Sequence, residues 1–306
     1  MKWLKGIGLF LIANVLIYLT LSFTANLLIN TVLPAFGIDV RGVFSQQLLV
    51  WSLVIGFGGA FISLAFSKQM ARAMLNCQQI AHPRSRAEQV IYGSVQEIAQ
   101  RLHITMPEVW VYDAPDPNAF ATGPSKNNSM VAVSTGLLQN LREDEVKAVL
   151  AHEMGHVFNG DMFTTTVLAG LMNTFVYYIS NFLSSIVGQS SAQDREGGNS
   201  VGNPLLAMVV YIFLQVVLSF LAMLVVSWHS RRREFAADAF SARVYGKGAM
   251  IDALRGIDRW VNRTQFEYSG QDALATMKIS GKSSGVMHLF ATHPPIEARI
   301  AALERL

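Results

Sequence analysis

Long apolar segments alternate with mixed polar segments along this chain of 306 residues. Four segments contain no Asp, Glu, Lys or Arg: residues 6–34, 44–67, 162–189 and 201–230. Each is long enough for the roughly 20 residues that a helix needs to cross the hydrocarbon core of a bilayer. The pattern therefore predicts a mainly α-helical integral membrane protein with four transmembrane helices.

The two pairs of apolar segments differ in how strongly they predict membrane spans. Residues 6–34 follow Lys2 and Lys5 and exceed the apolar region of about 7–15 residues in a signal peptide, so a spanning helix is expected there. Residues 162–189 contain the polar Asn173 and several serines. A buried helical hairpin that never meets lipid is the alternative for the second pair, although its length favours spanning.

Basic residues beside the apolar segments predict the orientation of the chain in the membrane. They precede the first segment, follow the second and follow the fourth: Lys2, Lys5, Lys68, Arg72, Arg84, Arg86, Arg231, Arg232 and Arg233. Because cytoplasmic loops are enriched in Lys and Arg, both termini and the polar segments are expected in the cytoplasm. The three consecutive Arg are interpreted as an anchor at the membrane edge.

The polar segments predict a soluble part made of two separate blocks. The chain divides into a membrane anchor, a first soluble block, a membrane hairpin and a second soluble block: residues 1–67, 68–161, 162–230 and 231–306. The first block carries a helical pattern, three strand patterns and a further helix start, at residues 86–102, 108–112, 119–122, 129–133 and Arg142. The soluble part is therefore expected to be α+β with a small β-sheet.

Composition and charge narrow the range of partners. Only 15% of the residues are charged, where a soluble domain carries about a quarter, and the formal net charge is +3. The sequence has no basic stripe with interleaved aromatic residues, which argues against a nucleic-acid partner. Cys77 is the single cysteine, so a disulfide within the chain is excluded and a zinc site made of thiolates is disfavoured.

Residues 152–156 read His-Glu-Met-Gly-His at the end of a strong helical pattern. Two His four positions apart lie on one helix face, where both imidazoles can reach one Zn²⁺ ion. Glu153 is turned about 100° around the axis from His152, where a general base for a zinc-activated water belongs. Short motifs of this kind also occur by chance, so the motif alone leaves the function open.

A second pair of acids supplies a candidate for the missing ligand, because a catalytic zinc needs a third protein ligand and one open position. Residues 234–238 read Glu-Phe-Ala-Ala-Asp. Glu234 is the candidate third ligand, and Asp238 on the same helix face is the candidate partner for the remaining ring N–H of a ligand His. A solvated pair of surface acids is the alternative. His156 precedes the third apolar segment and Glu234 follows the fourth, so a hairpin of these segments would bring the two residues together.

Taken together, the two motifs and the apolar segments around them resemble the HtpX-type heat-shock membrane metalloproteases of bacteria, relatives of the eukaryotic CAAX prenyl proteases. The segments Asn118-Ala-Phe-Ala-Thr-Gly123 and Thr292-His-Pro-Pro295 are also similar to that family. The resemblance implies a multi-pass protein of the bacterial inner membrane with a zincin-like cytoplasmic catalytic domain. It also implies one Zn²⁺ per chain, endopeptidase activity and the clearing of misfolded or damaged membrane proteins under stress.

Two further sites have open alternatives. His293 is expected either to stabilise an oxyanion near the zinc or to cap the C-terminal helix. The strand with Asn118, Ala119, Phe120 and Ala121 is expected either to bind an extended substrate through backbone hydrogen bonds or to form a purely structural hairpin. Self-cleavage on disruption of the membrane is permitted by the sequence and not indicated by any residue.

Two other functions stay open at this point. An intramembrane protease would bury the metal at bilayer depth, but the charged residues 143–145 and Lys147 closely precede His152, and charges in hydrocarbon are costly. A membrane scaffold with an inert motif would have no reason to hold stoichiometric zinc. Zinc content therefore separates the scaffold from the enzyme.

Overall fold

A computed structural model describes residues 46–193, 203–267 and 293–306, together with isolated positions between 23 and 35. The described chain is mainly helical and contains one four-stranded sheet. It divides into two compact units. The first unit comprises Met1–Ile62 and Thr166–Met223, and the second comprises Ser63–Thr165 and Leu224–Leu306. The predicted first apolar segment, residues 6–34, lies largely outside the described residues.

The helices have the following bounds, in chain order: α1 Leu33–Ala35, α2 Gln46–Ala65, α3 Ser67–Leu75, α4 Arg86–Arg101, α5 Thr135–Asn140, α6 Glu143–Asn159, α7 Asp161–Gln193, α8 Pro204–Tyr245, α9 Lys247–Glu267 and α10 Ile296–Glu304. Among the described residues, three of them are long and apolar enough to cross a membrane: α2, α7 and α8. They correspond to the second, third and fourth predicted segments. The chain is an integral membrane protein on this evidence of length and composition.

Within the first unit, α2 and α7 approach each other closely. A Cβ atom on Gly56 would lie 2.5 Å from the backbone N of Thr174, and one on Gly170 would lie 2.5 Å from the ring of Phe57. Small residues at such crossings let membrane helices pack backbone to backbone. The apolar window of α8, in contrast, has none of its residues buried. Its side chains are therefore available to lipid.

The polar end of α8 continues the apolar part without a break. The sequence suggested a boundary after residue 230, yet the helix extends through Arg231 to Tyr245. No Gly or Pro interrupts this stretch until Gly246, whose φ of +91° ends the helix. The same helix thus carries the candidate span and the candidate ligand Glu234.

The sheet of the second unit contains all three predicted strands and a short fourth one. Its strands are β1 Gln78–Gln79, β2 Glu108–Tyr112, β3 Ala119–Ser125 and β4 Asn128–Ser134. Their order is β1-β2-β4-β3, with β2 and β4 parallel and the other two pairs antiparallel. Among the described strands, β3 is therefore an edge strand of the sheet.

The hairpin of β3 and β4 is tighter than the sequence suggested. Both strands extend into the segment between the two strand patterns, residues 123–128, and an irregular register between Thr122 and Ser125 accommodates the extra residues. Gly123 has a φ of +146°, and a Cβ atom there would lie 2.3 Å from the carbonyl O of Asn128. Only glycine fits that conformation and that space, so the turn depends on it.

The core of the second unit positions α6. This helix packs against α4, α9 and β3, and its apolar face joins Ile91, Val95 and Leu254 in one buried cluster. The first turn of α6 carries three acids that favour the helix dipole, and Gly160 in the left-handed conformation ends it. The packing of α6 on three neighbouring elements explains why His152 and Glu153 are buried.

Candidate metal centre

Three side chains of α6 form the floor of the site. His152 and Glu153 are 2% and 6% exposed, and His156, one turn further on, is half-buried. The two imidazole Nε2 atoms lie only 3.2 Å apart, because residues four positions apart share a helix face. The predicted convergence of the two His is therefore present in the fold.

Glu234 reaches the same point from α8. Its Oε2 lies 3.5 Å from Nε2 of His152, and its Oε1 lies 3.3 Å from Nε2 of His156. One ligand atom from each of these three residues falls within 4.8 Å of the others. Glu234 is 3% exposed, so its carboxylate is not a solvated surface acid.

The opposite ring nitrogens of the two His are bound to carboxylates. His152 Nδ1 lies 2.9 Å from Asp238 Oδ1, and His156 Nδ1 lies 2.8 Å from Asp161 Oδ2. A carboxylate only accepts hydrogen bonds, so each Nδ1 carries a proton and each Nε2 faces Glu234 as the candidate ligand atom. Two ring nitrogens and a carboxylate converge on one point, and the carboxylates around them favour a cation there, either protons on the rings or a metal ion. The residues present fit a zinc ion with a two-His, one-Glu ligand set.

Each of these carboxylates in turn contacts an arginine. Arg299 Nη2 and Nε donate to Asp238 at 2.6 and 2.8 Å, and the guanidinium is fully buried. Arg233 donates to Asp161 Oδ1. Both ligand His are therefore held by the same series of contacts, from imidazole to carboxylate to guanidinium.

Asp161, Arg233 and Arg299 are the residues of this arrangement that the sequence did not indicate. Asp161 comes directly after the turn at Gly160, where helical periodicity no longer predicts which way a side chain points. Arg233 was grouped with two neighbours as an anchor at the membrane edge, and its contact with Asp161 corrects that interpretation for this residue. Arg232, which lies 5.0 Å above the ring of Trp228, remains compatible with it.

The charges of the site favour a bound cation. Burial lowers the pKa of His156, but hydrogen bonds to its two carboxylate partners outweigh that effect and raise the pKa to about 10. Burial also lowers the pKa of His152, but its contacts with Asp238 and Glu234 outweigh burial and hold the pKa above its ordinary value. Burial opposes the ionisation of Glu234, yet the nearby His293 and the hydrogen bonds from the ligand His hold its pKa well below the usual range. In Glu153, burial dominates and raises the pKa.

His293 is close to the ligand set although the chain separates it from α6. Its Nδ1 lies 2.7 Å from Glu234 Oε2, without the angles of a hydrogen bond. The ring follows the undescribed residues 268–292 and precedes α10. The contact brings the imidazole to the edge of the site, where it is partly exposed.

The predicted substrate strand has one edge paired. Ala119, Phe120 and Ala121 in β3 are opposite residues of β4, and the carbonyl of Asn118 accepts from the backbone N–H of Ser134. The other edge of β3 has no strand beside it among the described residues. Since β3 packs on α6, the strand runs next to the helix that carries the two His.

Comparisons with known proteins show the family to which the chain belongs. Residues 85–306 match the model of peptidase family M48. Protease HtpX of Actinobacillus pleuropneumoniae serotype 5b (strain L20) is 43% identical over 302 residues, and a Protease HtpX homolog of Methylacidiphilum infernorum (isolate V4) is 41% identical over 305 residues. In both cases 99% of each chain is covered.

A solved structure shares the fold. The crystal structure of S. mikatae Ste24p superimposes with a TM-score of 0.60 at 16% sequence identity, covering 96% of this chain. This chain spans 66% of the length of that protein. At this level of identity the likeness concerns the fold alone, and it agrees with the predicted relation to the CAAX proteases.

Proposed function

The chain belongs to peptidase family M48 as a membrane metalloprotease similar to HtpX, and from this premise we propose that it hydrolyses peptide bonds with one zinc ion per chain, held by His152, His156 and Glu234. One observation carries the proposal. Three buried ligand atoms converge within 4.8 Å, with both His oriented by carboxylates on their far sides. Such an arrangement favours a bound cation, and the ligand types are those that zinc prefers.

The open side of the ligand set is where the chemistry would take place. When bound, zinc supplies a Lewis acid that activates water for attack on a peptide carbonyl. Glu153 follows the ligand His152 on α6 and is the general base, accepting the proton of the attacking water and passing it to the leaving amine. Burial raises the pKa of Glu153, which makes its carboxylate a better proton acceptor than a solvated one.

His293 is proposed to stabilise the oxyanion of the tetrahedral intermediate. Its ring lies beside Glu234 and is partly exposed, so it borders the ligand set and can face a substrate. An imidazole N–H directed at the developing charge would lower the barrier. The N-cap of α10 is Pro295, two residues after His293, and it makes no side-chain hydrogen bond.

We propose that the substrate binds along the edge of β3 that has no neighbouring strand among the described residues. An extended peptide can add to a strand that ends a sheet, with its backbone hydrogen-bonded along residues 118–121. Because β3 packs on α6, a peptide bound along β3 would lie close to Glu153. Backbone recognition suits a protease that accepts many unfolded sequences, because it reads no particular side chain.

We further propose that the protein acts in the bacterial inner membrane on misfolded or damaged membrane proteins under stress, with the second unit in the cytoplasm. The similarity to Protease HtpX over nearly the whole chain and the basic residues beside the predicted spans support this role. Self-cleavage after extraction from the membrane belongs to the same proposal, since the enzyme would then meet its own unfolded segments.

The decisive experiment compares purified wild type with Glu153→Gln in detergent. Zinc is measured by elemental analysis and cleavage with casein as an unfolded substrate. The proposal expects about one zinc in both proteins and loss of both casein cleavage and self-fragments in the variant, by about 10²–10⁴-fold. Glu143→Gln, at the exposed start of the same helix, is the matched control and keeps full activity. A wild type without zinc would favour a scaffold.

A further inference from the structure

The carboxylate of Asp161 connects two elements that meet at the metal centre. Its Oδ2 accepts from His156 Nδ1 at 2.8 Å, and its Oδ1 accepts from the guanidinium of Arg233. The side chain is 8% exposed, so little water competes for either oxygen. One buried carboxylate therefore serves two partners that come from α6 and α8.

Arg233 and the candidate ligand Glu234 are neighbours in the sequence and act on opposite sides of one imidazole. Glu234 Oε1 lies 3.3 Å from Nε2 of His156, while Arg233 reaches the Nδ1 side through Asp161. Consecutive residues of α8 thus fix both edges of this ring. The position of His156 depends on α8 as much as on its own helix.

A helix-dipole role alone does not account for Asp161. Asp161 is the first residue of α7, where an acid is favoured in any helix. A carboxylate placed only for the dipole would be solvated and would need no arginine. Here each oxygen of Asp161 contacts a side chain, His156 on one and Arg233 on the other. Asp238 likewise lies between a ligand His and an arginine, His152 and Arg299. The repetition at the second His indicates a role in the metal centre.

We propose that Asp161 and Arg233 form a positioning pair that fixes the tautomer and direction of His156 and thereby slows the loss of zinc. Asp161 holds the proton on Nδ1, which leaves Nε2 as the ligand atom. Arg233 holds the carboxylate in place and compensates its charge. This inference rests on the zinc site proposed above, and it assigns a role to two residues outside the ligand set.

The test measures how fast the full-length protein in detergent releases zinc to an excess of chelator with a coloured zinc complex. Asp161→Asn places an amide between a ring N–H and a guanidinium, so one of its two donors must face another donor. Release is expected to be about 10–100-fold faster than in wild type. Arg233→Met should accelerate zinc release less than Asp161→Asn does. Arg233→Lys keeps the positive charge, so its release rate should lie between those of Arg233→Met and wild type.

A spectroscopic readout separates positioning from general destabilisation. Cobalt(II) in place of zinc reports ligand geometry through its visible absorption bands. The bands are expected to shift in Asp161→Asn and stay unchanged in the control Asp144→Asn, which alters an exposed acid in the first turn of α6 paired with Arg142. The double variant Asp161→Asn/Arg233→Met should release zinc no faster than Asp161→Asn alone, because both residues act through one ring nitrogen.

The outcomes distinguish this inference from the proposed function. Zinc in the wild type with unchanged release and unchanged cobalt bands in Asp161→Asn would overturn the positioning role and leave the zinc site standing. A wild type that binds neither metal would overturn the zinc site itself. Should Asp161→Asn fail to fold, Arg233→Met and Arg233→Lys provide the same comparison, and wild-type release rates in both would overturn the inference.

Discussion

Arg299 binds Asp238 through two hydrogen bonds of 2.6 and 2.8 Å, although 61 residues separate them in the chain. Both side chains are buried, and Oδ1 of Asp238, which accepts from Arg299 Nη2, also lies 2.9 Å from Nδ1 of His152. The pair therefore fastens α10 to α8 and orients a candidate ligand at the same time. A variant that breaks it should affect both stability and metal binding.

The first prediction concerns this buried pair. Arg299→Met leaves the carboxylate of Asp238 buried beside an apolar side chain, and the loss of one partner of a buried ion pair costs about 3–5 kcal/mol. Thermal unfolding in detergent should show this loss of stability as a lower Tm than that of wild type. The control is Arg255→Met, because Arg255 is half-exposed with ion pairs of 3.7 and 3.8 Å, worth about 1 kcal/mol or less. Equal losses in both variants would contradict the importance of the buried pair.

The second prediction concerns the third ligand. Glu234→Ala removes one of three metal contacts and should lower the zinc content of the purified protein well below that of wild type. Glu304→Ala on α10 removes an exposed carboxylate and should leave zinc unchanged. Elemental analysis after dialysis against a weak chelator provides the measurement. Undiminished zinc in Glu234→Ala would show that another residue completes the ligand set.

The third prediction concerns His293. Removal of an oxyanion donor typically lowers kcat by about 10²–10³-fold, so His293→Ala should lose activity on that scale while keeping its zinc. The exposed His82→Ala is the control and should behave as wild type. Steady-state kinetics with a fluorogenic peptide separate kcat from KM. A change confined to KM would assign His293 to substrate binding instead.

The fourth prediction follows from the cluster around Glu108. Burial raises the pKa of Glu108, but hydrogen bonds from Lys68 and Trp110 and the charge of Arg72 outweigh it, so the pKa is lowered. A carboxyl with a lowered folded-state pKa stabilises the fold above its unfolded pKa of about 4.3, and this contribution disappears as the pH falls through the folded-state value.

Glu108→Gln should therefore have a lower Tm than wild type near pH 7, and the difference should shrink as the pH falls below about 4.3. Thermal unfolding at a series of pH values measures it. The nearly buried ammonium of Lys68 keeps neutral acceptors but loses the negative charge of its partner in the variant, which explains the loss of stability at neutral pH. A Tm difference that is independent of pH would contradict the assignment.

The fifth prediction compares two glycines. A Cβ atom on Gly136 would lie 2.0 Å from the carbonyl O of Pro115, so Gly136→Ala should destabilise the protein by about 1–3 kcal/mol. At Gly93 on α4 a Cβ atom would meet nothing within 4 Å. Gly93→Ala should therefore stabilise the helix by about 0.5–1 kcal/mol. Opposite shifts in Tm are expected, and shifts of the same sign would contradict the packing described for Gly136.

Local sequence patterns anticipated much of the fold. The periodicity of α4 and α6 and the strands β2 and β4 were predicted closely, because each depends on neighbours along the chain. The relation to the HtpX and CAAX proteases is confirmed by the comparisons. Three described helices are long and apolar enough to span a membrane. The first predicted span, residues 6–34, lies largely outside the described residues. The division into four domains and the roles of the site residues stay predictions.

The sequence by itself determined that two His share a helix face, since a spacing of four residues fixes that geometry wherever the helix lies. It also determined which segments are apolar enough for a membrane. Only the tertiary structure decided that Asp161 turns back to His156 after the bend at Gly160, and that Arg299 enters the site from the last helix. These contacts join distant parts of the chain through packing, and no local period encodes them.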